Sequence, residues 1–174
     1  MKKKVLIIFL VNLLTLGFKE TAAGQGVDYT VHANIIYHFT KYIDWPANKK
    51  AGDFVIGIVG DSPLFEELQK ATANKTAGSQ RIIIRRFSSS EISFNCQILY
   101  ISEDESGLLK KIVSLTQNHS LLIVTEEEGL ARKGSCINFI IIDDRLKLEI
   151  NKKNIEKRNL KIAAEFLGLG VLIN

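Results

Sequence analysis

The sequence contains only two cysteines in 174 residues, Cys96 and Cys136, and they do not form a CxxC pair. It therefore gives no indication of a redox motif or of a structural zinc site. Each cysteine lies at the start of a predicted strand, and a disulfide requires Cα atoms within about 7 Å of one another. We expect two buried thiols, with a Cys96–Cys136 disulfide as the alternative if the two strands are neighbours.

Histidine is also scarce, with three residues, which limits the catalytic chemistry that the chain can support. The block Gly60-Asp61-Ser62 is similar to the nucleophile block of GDSL-type hydrolases, but a serine nucleophile needs a histidine base within hydrogen-bonding reach. His32, His38 and His119 do not lie in the Asp-x-x-His motif that supplies this base in those enzymes. A strand end followed by a helix cap is the favoured interpretation, so no catalytic residue is predicted.

No metal or cofactor is predicted either. His32 and His38 are six residues apart, which places them on different faces of a helix, and we expect both to be solvated. Gly57 and Gly60 lack the spacing of the dinucleotide-binding motif G-x-G-x-x-G. The pair Arg85-Arg86 is interpreted as the charged end of a strand, with an anionic ligand as the alternative.

No apolar run reaches the ~20 residues that a membrane-spanning helix needs. The N-terminal run, residues 5–18, follows three lysines and precedes the small residues Thr21-Ala22-Ala23-Gly24. This order is typical of a secretory signal peptide and predicts cleavage after Ala23, with an uncleaved membrane anchor as the alternative. The domain prediction is therefore a signal peptide at 1–23 and a single domain at 24–174, with no direct membrane insertion after cleavage.

The basic character of the chain comes mostly from this leader. Its removal takes away four lysines and one glutamate, which lowers the formal net charge from +4 to +1. A mature protein so close to neutral gives no reason to expect a basic surface for nucleic acid, and nucleic acid is not predicted as a partner.

Apolar patterns in the rest of the chain predict alternating helices and strands. The first helix spans residues 27–43, where Val31, Ile35, Phe39 and Ile43 form one apolar stripe. Predicted strands cover residues 54–59, 81–87, 97–101, 121–125, 137–142 and 145–150, and further helices cover residues 64–72, 106–116, 152–157 and 162–169. This alternation predicts an α/β fold, a three-layer Rossmann-like sandwich with a mainly parallel five-stranded sheet and an added antiparallel strand at the C-terminal hairpin.

That hairpin comprises residues 137–142, a turn at Asp143-Asp144, and residues 145–150. The continuous apolar run of its first strand predicts burial on both faces. The alternating second strand predicts one wet face, and we place it at an edge of the sheet. A parallel sheet also offers a ligand crevice at the carboxyl ends of its strands. The residues predicted at the rim of this crevice are Asp61, Ser62, Ser102 and Thr125.

Two motifs carry a resemblance to a known family. One is the helix end Tyr37-His38-Phe39-Thr40-Lys41-Tyr42-Ile43-Asp44-Trp45-Pro46, and the other is Gly134-x-x-Ile137-Asn138-Phe139 leading to Leu148-Glu149-Ile150-Asn151. With the segments between them in the expected order, the chain resembles the YfiR family of small periplasmic proteins from about Tyr29 to its end. It departs from the usual pattern at Ser135-Cys136, where Gly-Met is expected.

The resemblance implies a periplasmic regulator without catalytic residues or cofactors. Its expected partner is the periplasmic segment of an inner-membrane signalling protein. For the best-known members this is a diguanylate cyclase that the regulator holds inactive, so that cyclic-di-GMP output and biofilm formation depend on the contact. The alternative is a periplasmic small-molecule sensor that serves a membrane receptor or histidine kinase.

We predict that the partner binds around the end of the first helix and along the edge strand. The predicted contact residues are Tyr42, Asp44, Trp45, Arg145 and Lys147. A competing interpretation of the aromatic residues is core packing over the edge of the sheet. Because an edge strand can pair with a second copy of itself, a homodimer is also predicted.

Overall fold

Helices and strands alternate along residues 27–173, the part of the chain that the computed structural model describes. The predicted signal peptide at 1–23 lies outside the described residues. Within residues 27–173, no helix combines the length and the apolar composition required to cross a bilayer.

The helices and strands are numbered here in chain order. The helices are α1 (Tyr29–Tyr42), α2 (Leu64–Thr72), α3 (Leu109–Leu115), α4 (Lys152–Glu156) and α5 (Ala164–Leu167), with 3-10 turns at Ala47–Lys49, Glu103–Leu108 and Leu130–Lys133. The strands are β1 (Ile43–Asp44), β2 (Phe54–Val59), β3 (Thr76–Ala77), β4 (Gln80–Phe87), β5 (Ile98–Ile101), β6 (Leu122–Thr125), β7 (Ile137–Ile142), β8 (Arg145–Ile150), β9 (Lys161–Ile162) and β10 (Val171–Leu172).

The main sheet has the strand order β10-β8-β7-β6-β5-β2-β4-β3. From β4 through β2, β5 and β6 to β7 every neighbouring pair is parallel, and β7 and β8 form the antiparallel hairpin. The predicted mixed α/β class is confirmed. Strands β5 and β6 are buried at every position, as expected for strands that have neighbours on both sides and cover on both faces.

The hairpin turn follows from its two aspartates. Asp143 and Asp144 have φ angles of 50° and 56°, and Ile142 pairs directly with Arg145. Two consecutive residues with positive φ form the two-residue turn whose twist matches antiparallel strands, and aspartate tolerates this conformation better than most residues.

The outer half of β7 is exposed, so the prediction of burial on both faces is wrong there. Ile141 and Ile142 are 59% and 43% exposed. The reason is strand length, because β6 ends at Thr125, which pairs with Asn138. Beyond Asn138 the hairpin extends past the end of β6, and no strand of the described part of the chain lies beside it on that side.

The expectation that β8 forms the sheet edge is wrong for its second half. Glu149 and Ile150 pair with β10, which follows directly after the helix predicted at residues 162–169 and was not itself predicted. Gly170 permits this pairing, since a Cβ atom at that position would lie 2.8 Å from the carbonyl oxygen of Leu148. The predicted helix over residues 162–169 is therefore shortened to α5 between β9 and β10.

Helix α1 begins at its predicted cap, where the Asp28 side chain accepts a hydrogen bond from the Thr30 amide at 3.0 Å. Its predicted apolar stripe is only partly buried. Phe39 and Ile43 lie in the core, whereas Val31 is 42% exposed. Each four-residue step turns 400° about the helix axis, so a stripe built on such steps drifts by about 40° per step away from the core.

Candidate functional site

An open groove of about 330 Å³ runs between α1 and β8 and is closed at one end by α5. Its lining residues are Ile35, His38, Tyr42, Leu146, Lys147, Leu148, Phe166 and Leu169. We refer to this surface as the α1–β8 groove. Most of its side chains are aliphatic or aromatic, which is the composition of a binding site for an apolar surface rather than for a polar ligand.

The floor of the α1–β8 groove is held by aromatic packing between α1 and α5. The Phe166 ring lies 5.2 Å from the ring of Tyr42 and meets Phe39 edge-on at 5.5 Å between centroids. The Tyr42 carbonyl accepts a hydrogen bond from the Ala163 amide at 2.9 Å, next to the pairing of Ile43 with Ile162. These contacts tie the end of α1 to α5 and give the groove a fixed shape.

Exposed aliphatic side chains surround the groove. The large apolar residues with the highest exposure near it are Leu169 (66%), Ile141 (59%), Leu172 (53%), Val171 (48%), Ile142 (43%) and Val31 (42%). Ile141 pairs with Leu146 and Leu172 pairs with Ile150, so both lie on the groove side of the sheet, and Val31 lies one helical turn before Ile35. Ile142 and Val171, which pair with Arg145 and Glu149, lie on the opposite face. An exposed apolar area of this kind on a soluble domain typically marks an interaction surface.

The charged side chains at the groove are basic. Lys147 contributes to its lining, but the alternation along β8 turns the side chains of Lys147 and Arg145 to the face opposite Leu146 and Leu148. Both residues are exposed, and neither forms an ion pair with another described residue. A segment with apolar residues in the groove and carboxylates where it passes over the edge of β8 would complement this surface.

The predicted contact residues divide into two groups. Tyr42 and Lys147 line the α1–β8 groove, and Arg145 lies beside it. Asp44 is exposed, pairs with Lys50 at 2.6 Å and lines a different cavity, which shares only Tyr42 with the groove. Trp45 is only 5% exposed, and its placement on the surface is corrected.

Trp45 lies in the core because both the apolar ring and the N–H group of its indole have partners there. The ring meets Phe54 edge-on at 5.0 Å, and Nε1 donates a hydrogen bond to the Gln97 carbonyl oxygen at 3.3 Å. The core-packing interpretation of this residue is therefore correct. The groove residues that the sequence reasoning missed are Ile35, His38, Leu146, Leu148, Phe166 and Leu169. For Phe166 and Leu169 the signal in the sequence was the apolar cluster around Gly168 and Gly170, which the prediction of a helix at residues 162–169 partly absorbed.

The predicted crevice at the strand ends is not open. Thr125 is fully buried, Ser102 is 3% exposed, and Ser62 is 4% exposed with its Oγ accepting a hydrogen bond from the Leu64 amide. Asp61 is exposed and pairs with Arg86 at 2.6 Å. The four predicted rim residues therefore do not line a common cavity.

The first turns of α1 cover this position. The Tyr29 hydroxyl donates a hydrogen bond to Glu126 Oε1 at 3.4 Å, and the His32 ring packs on Phe139 at 4.3 Å between centroids. Gly60, in the loop after β2, lies so close to Ser102, in the loop after β5, that a Cβ atom at position 60 would lie 2.2 Å from the Oγ of Ser102. The space that remains beside His32 and Glu126 is about 40 Å³, little more than one water molecule occupies.

His32 is buried at 3% exposure, so the expectation that it is solvated is wrong, whereas His38 is exposed as expected. The Nδ1 atom of His32 lies 3.1 Å from the carbonyl oxygen of Asp28. Burial lowers the pKa of His32, although this carbonyl and the nearby carboxylates of Glu126 and Asp28 act in the opposite direction. The imidazole is therefore held in its neutral form between α1 and Phe139.

We expect the free energy of unfolding to fall as the pH decreases from 7 to 5. The unfolded chain takes up a proton at His32 near pH 6.5, while the folded state resists protonation, so stability is lost as the pH drops below the unfolded pKa. The loss is at most about 1.4 kcal/mol per pH unit from this residue. Urea unfolding of His32→Gln should show a weaker pH dependence than the wild type. His119→Gln, a change at an exposed histidine, is the control and should retain the dependence; the same slope in all three proteins would contradict this assignment.

The two cysteines are separate buried thiols. Cys96 precedes β5 and Cys136 precedes β7, and β6 lies between these strands. The alternative of a Cys96–Cys136 disulfide is therefore not realised. Burial raises the pKa of Cys96 to about 12 and also raises the pKa of Cys136, so neither thiol is activated as a nucleophile.

The second sequence motif forms a buried hydrogen-bond network. Asn138 is fully buried and its Nδ2 donates to Glu149 Oε2 at 2.8 Å and to the Glu127 carbonyl at 2.9 Å. Its Oδ1 accepts from the Thr125 hydroxyl at 2.7 Å, and that hydroxyl also lies 2.9 Å from the hydroxyl of Ser135. The motif thus has a structural role, because it joins β6, β7 and β8 at the point where the hairpin leaves the sheet.

The fold and the α1–β8 groove define an α/β protein with an exposed apolar groove and a closed strand-end crevice. A family model described as YfiR/HmsC-like matches residues 29–171, and the chain belongs to this family. A comparison with curated proteins finds no match. Membership indicates a periplasmic regulator of cyclic-di-GMP signalling, in a family known for regulation rather than catalysis and for interaction with a membrane signalling protein.

Proposed function

We propose that the protein is a non-enzymatic periplasmic repressor of a membrane-bound diguanylate cyclase, and that it acts through the α1–β8 groove. The observation that carries this proposal is the concentration of exposed aliphatic side chains around that groove. Of the nine large apolar residues with high exposure between residues 27 and 173, four lie in the groove or on the same side of the elements that border it, namely Leu169, Ile141, Leu172 and Val31. By holding the cyclase inactive, the protein would limit cyclic-di-GMP and biofilm formation.

The closed crevice supports binding over catalysis. We infer a Rossmann-like, three-layer plan from the strand order. If the parallel strands β2, β4, β5, β6 and β7 are renumbered 1 to 5 along the chain, their order across the sheet is the doubly wound 2-1-3-4-5. In that order the strand sequence reverses between β2 and β5, and ligands of such sheets bind at the carboxyl ends of these two strands. Here Gly60 and Ser102 are in close approach at that position, and Tyr29 and His32 of α1 cover the strand ends beside it.

The mechanism follows from differential binding. A partner that alternates between an active and an inactive conformation is shifted toward the inactive one when the repressor binds that conformation more tightly. We propose that the bound segment of the cyclase is amphipathic, with apolar side chains in the groove and carboxylates that pass over the edge of β8 to Lys147 and Arg145 on its other face. Release of the repressor would then return the cyclase to its active conformation.

Deletion of the gene tests the proposal in cells that encode a cognate cyclase. We expect cyclic-di-GMP to rise several-fold and attachment to increase, because the cyclase is no longer held inactive. Expression of the wild-type gene in the periplasm should restore the original level. Unchanged cyclic-di-GMP in the deletion strain would contradict repression.

The sensor hypothesis placed its ligand in the strand-end crevice, and because that crevice is closed, the ligand would need the α1–β8 groove instead. A volume of about 330 Å³ lies at the lower end of the range for small-molecule pockets, so a ligand in the α1–β8 groove is the second candidate function. The two functions differ in the occupant, since a sensor is stabilised by a small molecule alone, whereas a repressor of this kind is stabilised by the periplasmic segment of its partner.

Homodimer formation through the outer edge of β8 remains a prediction.

A further inference from the structure

A second groove, of about 320 Å³, lies between the end of α3, the 3-10 turn at Leu130–Lys133 and the residues that follow α4. It shares no residue with the α1–β8 groove. Its lining residues are Val113, Gln117, Arg132, Lys133, Gly134, Asn154, Lys157 and Arg158. We refer to it as the basic groove.

Among residues 27–173, four cationic side chains and no carboxylate line the basic groove. Arg132, Lys133, Lys157 and Arg158 line it, and none of the four forms an ion pair with another residue in the described range 27–173. Cationic side chains on a protein surface are usually interspersed with acidic ones. Four unpaired cations that converge on one concavity produce a positive potential that attracts anions.

Arg158 is the most informative of the four because its charge is buried. The residue is 5% exposed, and its Nη1 donates hydrogen bonds to the carbonyl oxygen and the hydroxyl of Thr116 at 3.0 and 3.2 Å. Both acceptors are neutral, so the guanidinium has hydrogen-bond partners but no counter-charge. A buried charge without a counter-charge is costly, and burial lowers the pKa of Arg158 accordingly. An anion in the groove would supply the missing negative charge.

We propose that the basic groove binds a small phosphate-type anion, either inorganic phosphate or a phosphate monoester. A phosphate offers several acceptor oxygens and nearly two negative charges, which suits a set of guanidinium and ammonium donors arranged around one cavity. The concave shape favours a small anion over an extended polyanion. This site is independent of the proposed repressor function, because it requires only the residues of the basic groove.

Isothermal titration and thermal unfolding at constant ionic strength test the site with inorganic phosphate and with glycerol phosphate. We expect both to bind the wild type and to raise its Tm, because a ligand that binds only the folded state stabilises it. The double variant Arg132→Ala/Lys157→Ala should bind phosphate at least about tenfold more weakly, since it loses two charge-assisted contacts. Both side chains are exposed, so folding should be preserved.

The matched control is Lys111→Ala/Lys161→Ala, which removes two exposed positive charges outside the basic groove and should retain wild-type affinity. An equal response of all three proteins to phosphate, or an equal stabilisation by chloride at the same ionic strength, would overturn the proposal. Vesicles that contain phosphatidylglycerol form the third arm. Binding to vesicles without binding of the soluble phosphates would assign the groove to a lipid surface and would also overturn the proposal.

Discussion

Cells that carry a Leu169→Glu variant in place of the wild-type gene should contain as much cyclic-di-GMP as cells that lack the gene. Leu169 is 66% exposed and lines the α1–β8 groove, so a carboxylate there leaves the folded protein intact. In the complex, however, the carboxylate would be desolvated among apolar side chains and would repel an acidic partner segment. Central apolar contacts of an interface typically contribute about 2 kcal/mol or more, which corresponds to roughly 30-fold in affinity.

The control for this experiment is Ile92→Glu. Ile92 is even more exposed, at 72%, and lies in the loop between β4 and β5. The substitution makes the same chemical change outside the groove, and we expect it to repress as well as the wild type. Leu169→Met, which keeps an apolar side chain of similar size, should also repress. If Leu169→Glu represses normally while its periplasmic level equals that of the control, the α1–β8 groove is not the docking surface.

Replacement of Asn138 should produce the largest loss of stability. In Asn138→Asp the amide that donates to Glu149 and to the Glu127 carbonyl becomes a second carboxylate, and it lies within hydrogen-bonding distance of the first. The site is fully buried, so neither charge is hydrated. We expect the free energy of unfolding to fall by about 3–5 kcal/mol, the range found when a buried charge loses its partner.

Asn138→Ala should cost somewhat less, about 2–4 kcal/mol, because it leaves the acceptors of Glu149 and Glu127 unpaired without adding a charge. Asn118→Asp, at an exposed position, is the control and should change stability by less than about 0.5 kcal/mol. Urea unfolding can be followed through Trp45, the single tryptophan, which is buried in the core. An Asn138→Asp protein within 1 kcal/mol of the wild type would show that the network does not support the hairpin.

Much of the fold was predictable because it depends on local pattern. β2, β7 and β8 occupy the predicted residues, and Asp28 caps α1 as expected. The short strands β1, β3, β9 and β10 were not predicted. Each has only two residues and is defined by the strand beside it rather than by any periodicity of its own.

The candidate site was predicted only in part, because exposure depends on neighbours that are distant in the chain. Tyr42 and Lys147, predicted as partner contacts, line the groove, and their contact with a partner stays a prediction; Trp45 was placed on the surface although it packs on Phe54 and donates a hydrogen bond to Gln97. Ile141 was placed in the core although, within the described residues, no strand lies beside it on the β6 side. Both errors concern apolar residues whose burial cannot be inferred from the residues next to them.

By itself, the sequence determined the α/β class, the main strands and the tight hairpin turn, since these follow from the spacing of apolar residues and from backbone preferences within a few positions. Only the tertiary structure decided that α1 closes the crevice at the strand ends and that the aliphatic side chains around the α1–β8 groove stay exposed. The physical reason is that both outcomes depend on strand order and on the unequal lengths of β6 and β7, which bring together residues more than 90 positions apart, such as Tyr29 and Glu126.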